Sequence, residues 1–207
     1  MPSRSKTKGN KFENDIVKAF NELHGTEEFR RTPNSGAMMG RSNAAKFAGL
    51  SESVQRTLSS DIITPEWFPF AVECKHYGDK PNYAAIIKEH DTTLDHWIGE
   101  AIFDAMNQDL HPMLCFKTDR KGAHVVIFKS WFSACVAETE IPKFYVTYDE
   151  HFAIMGLDAW KQIGPSMIAA YNEETTLGGP HAGNVKSVVD GWWEMYLQAE
   201  MHTHYLK

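Results

Sequence analysis

No run of about 18 apolar residues occurs in the 207-residue chain, so no segment reads as a membrane-spanning helix. The opening MPSRSKTKGNKFEND lacks the apolar stretch of a secretory signal, and a cytoplasmic protein is the expectation. Cysteine is scarce. Cys74, Cys115 and Cys135 are odd in number, widely spaced and flanked by apolar residues, which suits reduced core thiols and argues against disulfides or structural zinc. Internal repeats and low-complexity tracts are absent as well. With 43% hydrophobic and 23% charged residues the composition is that of a globular protein with one sizeable core, which excludes the disordered and fibrous classes.

An excess of positive charge is also missing, since the net charge is −6. The average conceals an asymmetry. Residues 1–60 hold ten Lys/Arg against six Asp/Glu, and the remainder holds eleven against twenty-one. A basic N-terminal third joined to an acidic remainder is compatible with nucleic acid held on one face, and equally with ordinary charge scatter on a solvated surface.

Residues 1–9 carry Arg4, Lys6 and Lys8 with no apolar residue after Met1, and read as a mobile basic arm. A helix is expected next, capped by Asn10 with Glu13 three residues on. Its stripe is Phe12, Ile16, Ala19, Phe20 and Leu23, and Gly25 suits its C-terminal end. Phe29 to Pro33 reads as a short strand, and residues 37–60 as an inserted loop with one or two short helices. Further on, helices are expected over 84–90, 94–107, 131–137, 152–172 and 184–200, and strands over 113–117, 124–128 and 144–148. The pair Trp192-Trp193 exceeds what one buried helix face can hold, and the tail His202-Thr203-His204 reads as frayed.

The segment from Asp61 to Tyr77 says most. Two β-prone runs, Asp61 to Thr64 and Phe70 to Lys75, flank Pro65-Glu66-Trp67-Phe68-Pro69, which marks a hairpin centred near Trp67. Antiparallel pairing about that centre sets Asp61 opposite Glu73, each six residues away. Period 2 along the second strand sends Glu73 and Lys75 to one face, and Val72 and Cys74 to the other. His76 then points to the core side and reads as structural.

Two carboxylates and a lysine on adjacent strands are costly unless paired or bound to a cation. Oxygen ligands at this spacing suit Mg²⁺, with Mn²⁺ able to substitute, and leave positions for phosphate oxygens. A neighbouring lysine can hold a water for in-line attack and offset the developing charge. This is phosphodiesterase chemistry, against the alternative of a surface ion pair worth about 0 to 1 kcal/mol. The triplet Glu73-Cys74-Lys75 is the only E-x-K in the chain, and it ends an apolar strand with an Asp at the mirror position.

These residues resemble the D…E-x-K core of the PD-(D/E)XK nuclease superfamily, and the wider pattern is similar to Holliday junction resolvases of the archaeal type and their phage relatives. The segment Lys8-Gly9-Asn10-Lys11-Phe12-Glu13 is similar to that family's K-G-x-x-F/A-E opening, and Arg31-Thr32-Pro33-Asn34-Ser35-Gly36 to its R-S-P-G-S-G loop. The resemblance covers about residues 8–129. The stretch between Ser35 and Asp61 is longer than in such resolvases, and Ser60 stands where the family has a proline.

The resemblance implies an α/β fold of restriction-endonuclease type, a central mixed β-sheet flanked by helices, with a C-terminal helical appendix. Residues 10–148 would form the nuclease core and 149–207 a helical extension. It implies that Asp61, Glu73, the Cys74 carbonyl and Glu13 hold the metal, that Lys75 positions the water, and that Arg31 and Ser35 contact the scissile phosphate. Lys6, Lys8, Lys11, Arg30, Arg41, Lys46 and Arg56 would supply sequence-independent phosphate contacts. The expected activity is symmetric nicking of four-way DNA junctions by a homodimer, in the host cytoplasm if phage-encoded, with the dimer using the 94–107 helix or the helix around Trp192. A related nuclease of linear DNA, restriction or repair type, and a non-catalytic DNA-binding protein of the same fold are the alternatives. The intact set of Glu13, Asp61, Glu73 and Lys75 argues against the last, since a pure binder has no need of carboxylates facing a polyanion.

Overall fold

The computed structural model describes residues 4–33, 60–88, 90–135, 145–177, 191 and 194. Ser35, Arg41, Lys46 and Arg56 lie outside them, as does the 37–60 insertion except Ser60. The helix expected over 184–200 also falls outside, apart from Gly191 and Glu194, which are both helical. No helix among the described residues is long and apolar enough to cross a membrane. The chain forms two compact units, Met1–Val125 and Val126–Lys207.

The first unit opens with α1 (Arg4–His24). The helix begins six residues before the Asn10 cap, so Lys6, Lys8 and Asn10 are helical and do not form a free arm. Tertiary contacts account for the difference. Lys8 Nζ donates to Asp119, the Lys8 carbonyl faces His76 Nδ1 at 3.4 Å, and Asn10 Oδ1 accepts from Arg31 instead of capping the helix. At the other end Gly25 takes φ +63°, the left-handed conformation expected of a helix-terminating glycine.

Strands β1 (Arg30–Arg31), β2 (Ile62–Ile63) and β3 (Phe70–Tyr77) pair antiparallel in that order, and β3 pairs in parallel with β4 (His111–Thr118). The parallel connection needs a crossover. It runs through α2 (Tyr83–Ile87) and α3 (Thr92–Met106), the latter capped by Asp91, whose Oδ1 accepts from Thr93 and Leu94 N–H groups at 3.0 and 2.9 Å. Neighbouring β3 residues show how the helices sit: His76 meets Phe12 of α1, whereas Lys75 and Tyr77 meet Glu100 and Trp97 of α3. Because side chains alternate along a strand, α1 and α3 cover opposite faces of β3. This is the mixed sheet flanked by helices that the sequence calls for. Cys74 and Cys115 face each other in the β3–β4 register as buried free thiols.

Strand β5 (Ala123–Phe128) carries the boundary between the units. The second unit holds α4 (Ser130–Cys135), the antiparallel pair β6 (Tyr145–Tyr148) and β7 (Phe152–Gly156), and α5 (Leu157–Leu177). The helix expected from 152 therefore starts at 157, and an extension helical from 149 onward is corrected to a strand followed by a helix. Phe152, Ala153, Ile154 and Met155 are all buried. Such a short, doubly covered apolar run has no alternation to separate strand from helix, and pairing with β6 across a turn with positive φ at Asp149 and Glu150 decides it.

Candidate active site

The hairpin register places the first two acids. Ile62 pairs with Val72, the register that mirror symmetry about Trp67 requires, and the Asp61 N–H donates to the same Val72 carbonyl at 3.2 Å, which holds Asp61 at the end of β2 beside β3. On the other side the Asp61 carbonyl accepts from Thr32 N at 2.9 Å, so its backbone is tied to both flanking segments. The turn is closed by the Phe68 N–H on the Pro65 carbonyl, and Trp67 and Phe68 pack edge-on against Phe29 in an aromatic cluster with His24. Ser60, at the position of the family's proline, is buried and its hydroxyl donates to the Ile62 carbonyl.

The Asp61 side chain turns toward β3, where Oδ2 accepts the Cys74 N–H at 2.9 Å. The N–H and C=O of one strand residue leave the same edge, so the Cys74 carbonyl emerges on the edge that faces Asp61. Lys75 Nζ stands 2.7 Å from Glu73 Oε1, with both side chains largely buried. Glu13 arrives from α1. It is buried and receives the Arg31 Nε–H, while the Arg31 Nη2 group donates to Asn10 at 3.2 Å. Arg31 is thus held by α1 at the rim of the site.

Two residues of this cluster were not among the sequence expectations. Glu100 Oε2 accepts from Lys75 Nζ at 2.8 Å, and Asp104, one turn later on α3, lies close enough to perturb Glu73. The signal is present in the sequence: acids four apart in the apolar segment Trp97 to Ala105 share one helical face. Their proximity to the E-x-K strand depends on the β3–α3 packing.

Burial and mutual repulsion dominate the electrostatics. Glu73 is held well above the ordinary carboxylate range, first by burial and then by the charge of Asp61, with Lys75 opposing and Asp104 adding. Glu13 is raised by burial and by Asp61, against its bond to Arg31. Asp104 is pushed up to about 7 by burial, then by Asp61. Carboxylates that raise one another in a half-dry site are stabilised by a cation. Among the described residues no three His, Cys, Asp or Glu side chains form a ready-made metal cage. Mg²⁺ does not need one, because it keeps several waters and takes one or two carboxylates. Asp61, Glu73 and the Cys74 carbonyl fit that requirement.

Of the other expected contacts, Lys6, Lys11 and Arg30 are exposed, while Lys8 is engaged with Asp119. Asp119 also faces His76 Nε2 at 3.0 Å, and this clasp secures the start of α1 to the end of β3, in line with a structural His76.

An Asp whose carboxylate meets the backbone of an E-x-K strand in a mixed sheet, with a further acid delivered by the first helix, defines the PD-(D/E)XK class of nucleases. The profile of the family described as "Phage putative PDDEXK endonuclease" matches residues 4–170. The chain belongs to that family. No curated protein and no solved structure matches it.

Proposed function

We propose that the protein is a Mg²⁺-dependent DNA endonuclease that nicks four-way junctions symmetrically as a homodimer, in the cytoplasm of a host cell. The observation that carries the catalytic part is the Asp61 carboxylate on the Cys74 N–H at 2.9 Å, with Lys75 Nζ 2.7 Å from Glu73. Asp61, Glu73 and the Cys74 carbonyl would hold the cation, with Glu13 a further carboxylate directly or through water; Mn²⁺ would substitute. When bound, the cation supplies Lewis-acid polarisation of the scissile phosphate. Lys75 directs an N–H at the attacking water and offsets charge developing on the phosphate. Arg31 and Ser35 would contact the phosphate beside the scissile bond. Lys6, Lys11 and Arg30 would hold the backbone without regard to sequence.

The junction preference is supported by the similarity of residues 8–13 and 31–36 to resolvase motifs, and the dimer by geometry, since two symmetric cuts require two sites and one chain has a single E-x-K. Labelled four-way junction and linear duplex of the same sequence, each with Mg²⁺ and with chelator, test the reading. Paired nicks in the junction with Mg²⁺ alone are expected. Equal cleavage of both substrates would assign the enzyme to linear DNA, and binding without cleavage would make it a non-catalytic binder.

A further inference from the structure

Lys75 is held by two carboxylates from different elements. Glu73 lies two residues back on the same strand, and Glu100 lies on α3, with Nζ–O distances of 2.7 and 2.8 Å. An ammonium has three N–H donors, so these bonds engage two and leave one to be aimed. The side chain of Glu100 is 42% exposed and that of Glu73 10%, so Glu100 is the more solvated of the two tethers. A lysine is a point charge on a flexible four-carbon stem. One tether lets the nitrogen swing, whereas two tethers on separate elements fix where the third N–H points.

The α3 packing delivers the second tether. Trp97 lies on Tyr77 with ring centroids 5.0 Å apart. Tyr77 shares a strand face with Lys75, and Glu100 follows Trp97 by one helical turn, so this contact sets the register that brings Glu100 to Lys75. Of the other titratable groups near Glu100, His96 is 70% exposed and 3.6 Å away, too far for a hydrogen bond, and Asp104, one turn on, carries charge of the same sign.

We propose that Glu100 is a positioning residue for Lys75, holding the ammonium on the water side of the site while Glu73 serves the metal. This rests on the nuclease reading given above. The two tethers differ under that reading: a carboxylate that shares its charge with a divalent cation attracts an ammonium less, so the hold of Glu73 on Lys75 would be weaker with the metal bound. Glu100 is not among the proposed ligands and would keep the lysine in place.

The test has two arms. In the metal-free chain labelled with ¹⁵N-lysine, the Lys75 ammonium resonance, assigned by its loss in Lys75→Arg, reports whether Nζ is held. It is expected to be resolved in wild type, broadened or lost in Glu100→Ala, and retained in Glu100→Gln, whose amide oxygen still accepts. In single-turnover cleavage with Mg²⁺, Glu100→Ala is expected to lower the rate about 10- to 100-fold with DNA affinity unchanged. Glu100→Gln should recover most of it, and Glu100→Ala should add nothing in a Lys75→Ala background. An unchanged resonance and rate in Glu100→Ala, or an additive effect on top of Lys75→Ala, would overturn the proposal. Loss of rate together with a lowered melting temperature and no recovery in Glu100→Gln would make the residue structural and overturn it too. If wild type cleaves no DNA, the proposed function fails, and the resonance arm alone decides whether Glu100 holds Lys75.

Discussion

Asp104 stands one turn beyond Glu100, and its ionisation is a test of how the site is built. Burial, the Asp61 charge and Glu100 raise it to about 7 from an ordinary 3.8, against Lys75. The folded state therefore favours the neutral acid. The associated stability is complete below about pH 4 and is lost as pH rises through 7, because the unfolded chain ionises freely over that window. Asp104→Asn removes the effect. In chelator, the variant is expected to be more stable than wild type at pH 8, by on the order of 2–4 kcal/mol, with a flatter stability profile between pH 4 and 7. Denaturant unfolding at several pH values checks this, and parallel profiles for the two proteins would place Asp104 in a solvated setting. Glu13 and Glu73 are shifted in the same direction, so some slope should persist in the variant.

At the scale of elements, Gly164 on α5 lies against the fully buried Trp160, and a Cβ there would fall 2.5–2.9 Å from three atoms of the indole. Gly164→Ala gains about 1 kcal/mol of helix propensity and meets an overpacking cost of about 1–3 kcal/mol. A lowered melting temperature is expected, and an unchanged or higher one would show that the indole shifts without cost. The hairpin was readable from residues because its mirror symmetry about Trp67 fixes the register, and a fixed register fixes which side chains meet. Glu13 was also readable, as an acid at the edge of an apolar helical stripe. The start of α1 was not, since polar residues 4–10 carry no stripe and are ordered by Asp119, His76 and Arg31 from distant parts of the chain. Glu100 and Asp104 were missed for a related reason. Their spacing is local, but their role arises where α3 lies over β3, and no periodicity within α3 reports that. The strand at 152–156 was lost to a run too short and too uniformly apolar to show a period.

For the molecule as a whole, the family match reaches residue 170, well past the resolvase-like motifs that end near 129. The second unit is thus part of the family's architecture as far as residue 170. Phe103 and Met106 remain exposed on α3, at 58% and 36%, on a helix to which the homodimer proposal assigns an interface. Light scattering of the purified chain at micromolar concentration is expected to give twice the chain mass, and Phe103→Asp to weaken the dimer at least about tenfold. A monomer that still makes paired nicks would rule out a preformed dimer. The most direct measurement of the assigned site compares DNA cleavage and DNA binding by wild type, Asp61→Ala and Glu73→Ala under Mg²⁺ titration. Metal-assisted stabilisation of several kcal/mol corresponds to about 100-fold or more in rate. Wild type should cleave only with the cation, and both variants should lose at least that factor while binding DNA as tightly as wild type or more so, because each removes a negative charge that faces phosphate. Full Mg²⁺-dependent cleavage by either variant would contradict the assignment of the site.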